Sequence, residues 1–210
     1  MNKWKESELV RSLVGFFLLF LLFVGLFIFI VPSMHQSSKI AEKIKSIKNE
    51  NVTYVAIGDS LTQGVGDSSN QGGFVPVLSQ ALESDFDWQV TSRNYGIAGN
   101  TSNQILKRMQ EKKDIQRDLK KAKVMTLTVG GNDVIHVIKD NITNLNVATF
   151  TKPAQAYQKR LRQIIELARK ENKTLPIYIV GIYNPFYLNF PEMTEMQTIV
   201  DNWNQSTEEV

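Results

Sequence analysis

The chain has 210 residues, 42% of them hydrophobic and 21% charged, with a net charge of +3 at neutral pH. That length suits about one domain, and that balance suits a globular chain rather than a disordered one. The mild, dispersed positive excess gives no basis for a nucleic-acid partner. The absence of cysteine rules out disulfides and thiolate chemistry, and the 2 histidines, His35 and His136, are too few for a His-rich metal site.

Residues 13–31 read L-V-G-F-F-L-L-F-L-L-F-V-G-L-F-I-F-I-V, 19 residues without a charge. A helix needs roughly 20 such residues to cross the hydrocarbon core of a bilayer. A cleaved signal peptide has a shorter apolar stretch, about 7–15 residues, and a small-residue cleavage site that is missing here. The segment is therefore expected to be an uncleaved single-pass transmembrane anchor. Lys3, Lys5 and Arg11 precede it and Lys39, Lys43, Lys45 and Lys48 follow it, so the positive-inside count alone does not orient it. A short basic tail before a signal anchor favours a cytoplasmic N-terminus and an extracellular domain. The expected organisation is a cytoplasmic tail at 1–12, the anchor at 13–31, a juxtamembrane linker at 32–51 and the domain at 52–210. Ile40, Ile44 and Ile47 give the linker one apolar helical face among lysines, suited to a solvated stalk or to lying on anionic headgroups.

Beyond the linker, strand-like and helix-like segments alternate. Residues 52–57 form an apolar run, and 73–86 carry Phe74, Val77, Leu78, Ala81 and Leu82 at helical spacing. Residues 88–94 suit a strand, 102–121 a polar helix interrupted near Lys113 and Asp114, and 124–129 a second buried strand. A long amphipathic helix over 153–171 presents Tyr157, Leu161, Ile164, Ile165 and Ala168. A strand over 175–181 and a helix over 192–210 complete the series. Such alternation predicts a parallel sheet covered by helices, with right-handed crossovers.

Three polar loops follow three of these strands: Gly58-Asp59-Ser60-Leu61, then the stretch from Asn94 to Ser102 (N-Y-G-I-A-G-N-T-S), then Gly130-Gly131-Asn132-Asp133. In a parallel sheet all three emerge at one edge, where open α/β folds bind their ligands. This brings Ser60, Gly99 and Asn132 toward one crevice. Acyl transfer needs such a set: a hydroxyl to attack a carbonyl and fixed N–H donors to hold the oxyanion that develops.

These three blocks, in this order and spacing, resemble the SGNH (GDSL) hydrolase family of lipases and acylhydrolases. The resemblance covers roughly residues 52–133. It implies a three-layer α/β/α, flavodoxin-like fold and a serine esterase that works without metal or organic cofactor. It implies Ser60 as nucleophile, with its own N–H, the Gly99 N–H and the Asn132 side-chain amide as oxyanion donors. Asp59 and Asp133 are expected to fix their loops rather than to act as catalytic acids. The loop differs from the G-x-S-x-G elbow of α/β-hydrolases, because Thr62 stands where the second glycine belongs.

The chain departs from the family at its C-terminal side. The family supplies its base through an Asp-x-x-His; here Asp201-Asn202-Trp203-Asn204 has the spacing but ends in asparagine. His136 lies close after the third block but has no evident orienting carboxylate, and His35 lies beside the membrane. The sequence is therefore expected to be truncated relative to a complete enzyme, with a natural non-catalytic relative as the alternative. The implied substrates are lipids, short acyl esters or acetylated sugars. Phe186, Tyr187 and Phe190 form an aromatic loop suited either to an acyl pocket or to packing. The rival functions are a non-catalytic acyl- or carbohydrate-binding module on the same scaffold, and an acyltransferase.

Overall fold

The computed structural model describes residues 50–141, 143, 146–184, 187 and 194–210. The anchor segment at 13–31 and the Ile40/Ile44/Ile47 stretch lie outside them. Among the described residues no helix is long and apolar enough to cross a membrane.

Four parallel strands carry the fold: β1 (Asn51–Gly58), β2 (Gln89–Gly96), β3 (Ala122–Thr128) and β4 (Ile177–Val180), in the order β2-β1-β3-β4. Seven helices alternate with them: α1 (Ser60–Gln63), α2 (Phe74–Phe86), α3 (Ser102–Glu111), α4 (Lys113–Lys121), α5 (Gly131–Asp140), α6 (Thr151–Glu171) and α7 (Thr194–Glu208). A 3-10 turn, Val147–Phe150, leads into α6. The predicted α/β class and the predicted strands are present, with strand ends displaced by one or two residues. Helices α1 and α5 are additions. The periodicity reading assigns neither, because each begins inside a motif that reads as a loop.

The strand order follows from side-chain alternation. On β1 and β3, Val55, Ile57, Met125 and Leu127 point to one face and join a core with Ile105 and Met109 of α3, Ile115 and Leu119 of α4, and Leu161 and Ile164 of α6. Tyr54, Ala56 and Val124 point to the other face and pack on Val75, Phe74 and Leu78 of α2. Both faces of β1 are thus buried, which is why its sequence reads as a continuous apolar run. Strand β4 differs. Ile177 and Ile179 pack on the larger core, while Tyr178 and Val180, on the α2 side, are exposed.

The expected interruption of the 102–121 helix falls at Lys112, whose backbone is extended (φ −91°, ψ 105°). The carbonyls this break orphans at the end of α3 are satisfied by a side chain: the Gln116 amide donates to Met109 O (3.0 Å) and Gln110 O (2.9 Å).

The order β2-β1-β3 reverses direction between β1 and β3. Loops leaving those two strands therefore diverge over opposite faces of the sheet and open a crevice between them. Ser60 leaves β1 and Asn132 leaves β3, on either side of that reversal.

Candidate active site

Ser60 is the first residue of α1, two positions beyond the end of the buried strand β1. Its loop is fixed from beneath. Asp59 caps the helix, its Oδ1 accepting from Leu61 N at 3.1 Å and from the Thr128 hydroxyl at 2.8 Å. The Thr128 oxygen in turn accepts from Asp59 N at 3.1 Å and lies 2.8 Å from the Thr62 hydroxyl. Asp59, Thr62 and Thr128 are all buried, so this cluster is a closed polar network whose members satisfy one another. Gly58 is required beside it: a Cβ there would lie 2.1 Å from Thr128 Oγ1 and 2.5 Å from Thr62 Oγ1. The carboxylate of Asp59, the second residue of the G-D-S-L block, is thus turned to Thr128 and Leu61. The Ser60 hydroxyl itself is left without a hydrogen-bond partner among the described residues.

The second loop is tied to the first. Asn94 donates to Thr62 O (2.7 Å) and its Oδ1 accepts from Gly96 N (2.8 Å), while Ala98 N donates to Gln63 Oε1 (2.5 Å). Arg108 of α3 donates to Tyr95 O and, at 2.8 Å, to Asn100 Oδ1. Burial lowers the Arg108 pKa from its ordinary value. Gly99 stands in this turn at φ +80°, a left-handed conformation that L side chains rarely adopt, with open space where a Cβ would be. Its backbone is exposed.

The third loop closes the set. Asn132, in the first turn of α5, donates its side-chain amide to Asn100 O at 3.0 Å. An amide nitrogen carries two protons, and the second has no acceptor among the described residues. Asp133 points the other way and is buried. It accepts from Ser102 N at 2.8 Å, Ser102 Oγ at 2.6 Å and Arg160 Nη2 at 3.2 Å, while Arg160 Nε donates to Ser102 Oγ at 2.7 Å. This carboxylate holds α3, α5 and α6 together, as the loop-fixing role requires.

Ser60, Asp59 and Asn132 line one cavity of about 370 Å³. Its remaining wall is largely apolar and includes Leu61, Ile135, Ile138, Val180, Ile182 and Met196. Gly99 and Asp133 do not line it. His136 does not line it either; it lines a separate, open groove with Asp133, Asp140 and Arg160. Asn204 has a different task altogether: its amide exchanges hydrogen bonds with the Ile182 backbone, accepting from Ile182 N at 2.9 Å and donating to Ile182 O at 2.8 Å. That pairing fastens the chain leaving β4 to α7, and Asp201 accepts only from Gln197 nearby, at 2.8 Å. Of the aromatic loop, Tyr187 is exposed; Phe186 and Phe190 lie outside the described residues. Thr128, Arg108 and Arg160 were not foreseen from sequence, since Thr128 and Arg160 act across 27 to 69 positions and no local pattern marks any of the three.

Residues 56–210 match the model of the GDSL-like Lipase/Acylhydrolase family. The chain belongs to that family. It is 33% identical over 178 residues to the uncharacterized protein YpmR of Bacillus subtilis, a match that covers 84% of this chain and 69% of YpmR. It is 29% identical over 137 residues to the spore germination lipase LipC of Bacillus licheniformis, covering 63% of this chain and 64% of LipC, just under two thirds of that relative. The crystal structure of the lipase Lip_vut3 from a goat rumen metagenome superposes with a TM-score of 0.68 at 25% identity, covering 76% of this chain and 75% of that one.

Proposed function

We propose that the protein is a membrane-anchored serine esterase or acylhydrolase acting outside the cytoplasm, with Ser60 as nucleophile. One observation carries the reading: a serine hydroxyl with no partner among the described residues stands at the start of α1, in the same cavity as the Asn132 amide. Family membership supplies the reaction class.

The chemistry runs as a double displacement. Ser60 Oγ attacks the ester carbonyl as its proton passes to a base. The carbonyl oxygen takes up the negative charge, held by N–H donors. Ser60 N, whose N–H belongs to the unpaired first turn of α1, and the free Asn132 N–H are two of them. Gly99 N, in the turn that Gln63 and Asn132 tether, is assigned as the third. Such donors stabilise charge that appears only in the transition state. Collapse expels the alcohol, which leaves with a proton, and water then cleaves the acyl-Ser60 ester to regenerate the hydroxyl. Neither step requires a metal or organic cofactor. No described histidine lines this cavity.

Ser60→Ala, in the protein as its cell makes it, should abolish hydrolysis of p-nitrophenyl esters while leaving thermal unfolding unchanged. Retained hydrolysis would refute the nucleophile and leave a binding module on the same scaffold as the better reading. The anchor reading rests on the uncharged segment 13–31. Deleting residues 1–31 should move the protein from the membrane to the soluble fraction, and continued membrane association would remove the support for that reading.

A further inference from the structure

We infer that the Ser60 cavity selects esters whose acyl group is an aliphatic chain of medium length, and disfavours acetylated sugars. This rests on the assignment of Ser60 as nucleophile and narrows it to a substrate class.

Two observations point the same way. First, the cavity sets a few polar groups, at Asp59, Ser60, Thr128 and Asn132, beside a wall that is largely apolar and includes Ile135, Ile138, Ile182 and Met196. A volume near 370 Å³ lies at the small end of the range for ligand pockets, enough for one chain and not for a branched lipid. Second, part of that wall is apolar surface left in water: Leu61 is 41% exposed, Ile135 45%, Val180 43% and Tyr183 66%, and all four line this cavity. Soluble domains rarely leave a contiguous apolar patch open unless something apolar binds there. Lys139 also lines the cavity, and its long stem adds apolar contact while its ammonium can reach water.

Sugar hydroxyls pressed against this wall would lose water without gaining partners, which penalises an acetylated carbohydrate. The chain belongs to the acyl side of the ester for a chemical reason. The departing alcohol must take a proton and exit to water, for which an apolar cleft is the wrong surrounding. The acyl group stays bonded to Ser60 between the two displacements and can remain lodged there.

Labelling by alkyl fluorophosphonates tests this, because the alkyl group on phosphorus stands where the acyl chain would. The full chain, in native membranes, is labelled with ethyl, octyl and hexadecyl probes, and adducts are mapped by peptide mass. The octyl probe should label Ser60 at least about one hundredfold faster than the ethyl probe, since each methylene buried favours binding about fourfold. The hexadecyl probe should gain nothing further. Ile135→Asp and Val180→Asp place a charge on the wall at positions already exposed to water, so folding is retained. Each should lower the ratio of octyl to ethyl labelling rates about tenfold or more. Equal rates for ethyl and octyl probes would overturn the inference while keeping Ser60 as nucleophile. An octyl preference that survives both substitutions would reflect partition into the membrane and would overturn it as well. Failure of every probe to modify Ser60 in the folded protein would overturn the nucleophile assignment and this inference with it.

Discussion

Ser60 is held by a network that never touches its hydroxyl. Asp59, Thr62 and Thr128 fix the backbone beneath it, which leaves the hydroxyl of the proposed nucleophile free to bond a substrate. Asn132 shows the same division within one side chain: one amide proton fixes the group to Asn100 O, and the other is available to an oxyanion. Asn132→Ala removes both. It should reduce the rate constant for ester hydrolysis about 100- to 1000-fold, as loss of one oxyanion donor does, with a much smaller effect on KM. A change confined to KM would show that Asn132 binds the ground state only. At this scale the sequence was informative where residues act through local backbone geometry. Gly58, Asp59, Ser60 and Gly99 follow from loop chemistry. Thr128 and Arg108 do not, because the Thr128 partners are distant in sequence and a threonine in a strand or an arginine on a helix has many ordinary uses.

At the scale of elements, the three motif loops are one assembly because helices cross-link them. Asp133 at the start of α5 draws Ser102 of α3 and Arg160 of α6 to a single buried carboxylate. Removing one partner of such a group leaves the other buried and unpaired. Asp133→Asn should therefore destabilise the fold by about 1–3 kcal/mol. The double variant with Arg160→Met should cost less than the sum of the single changes, measured by urea unfolding; strict additivity would show that the two residues do not act together. Amphipathic periodicity found α6 and α2 because each has one long buried stripe. It missed α5 because the helix begins within Gly130-Gly131-Asn132-Asp133, where two glycines mask a helix start. The asparagine at the end of Asp201-Asn202-Trp203-Asn204 is accounted for by its pairing with Ile182, a packing role that sequence spacing alone could not distinguish from a vestige of a dyad.

Across the whole molecule, the parallel order β2-β1-β3-β4 decides where chemistry can occur. It separates the loops after β1 and β3 and makes their gap the ligand crevice. Class and strand positions were open to a reading of alternation and apolar runs. Which residues of α5 line the crevice was not, since that depends on how the helix packs on the rest of the fold. The core also predicts a response to alkali. Burial, partly offset by the bond to Thr207, pushes the Tyr157 phenol up to about 12. Its neutral form is favoured in the fold, so its contribution is complete below the unfolded value near 10 and is lost as pH rises from there toward about 12. Stability should fall by about 1.4 kcal/mol per pH unit across that window on account of this residue. Tyr157→Phe should flatten the decline in a urea-unfolding series; an unchanged slope would mean that Tyr157 is not the group responsible.

The most direct test of the central claim is to trap the covalent intermediate. The full-length protein from its native cell is mixed with p-nitrophenyl butyrate, quenched in acid within the first turnover and digested for peptide mapping. The account predicts a butyryl group on the peptide containing Gly58-Asp59-Ser60-Leu61, localised to Ser60 and absent from Ser60→Ala. Turnover with the acyl group on another residue, or turnover with no acyl-protein at all, would contradict it.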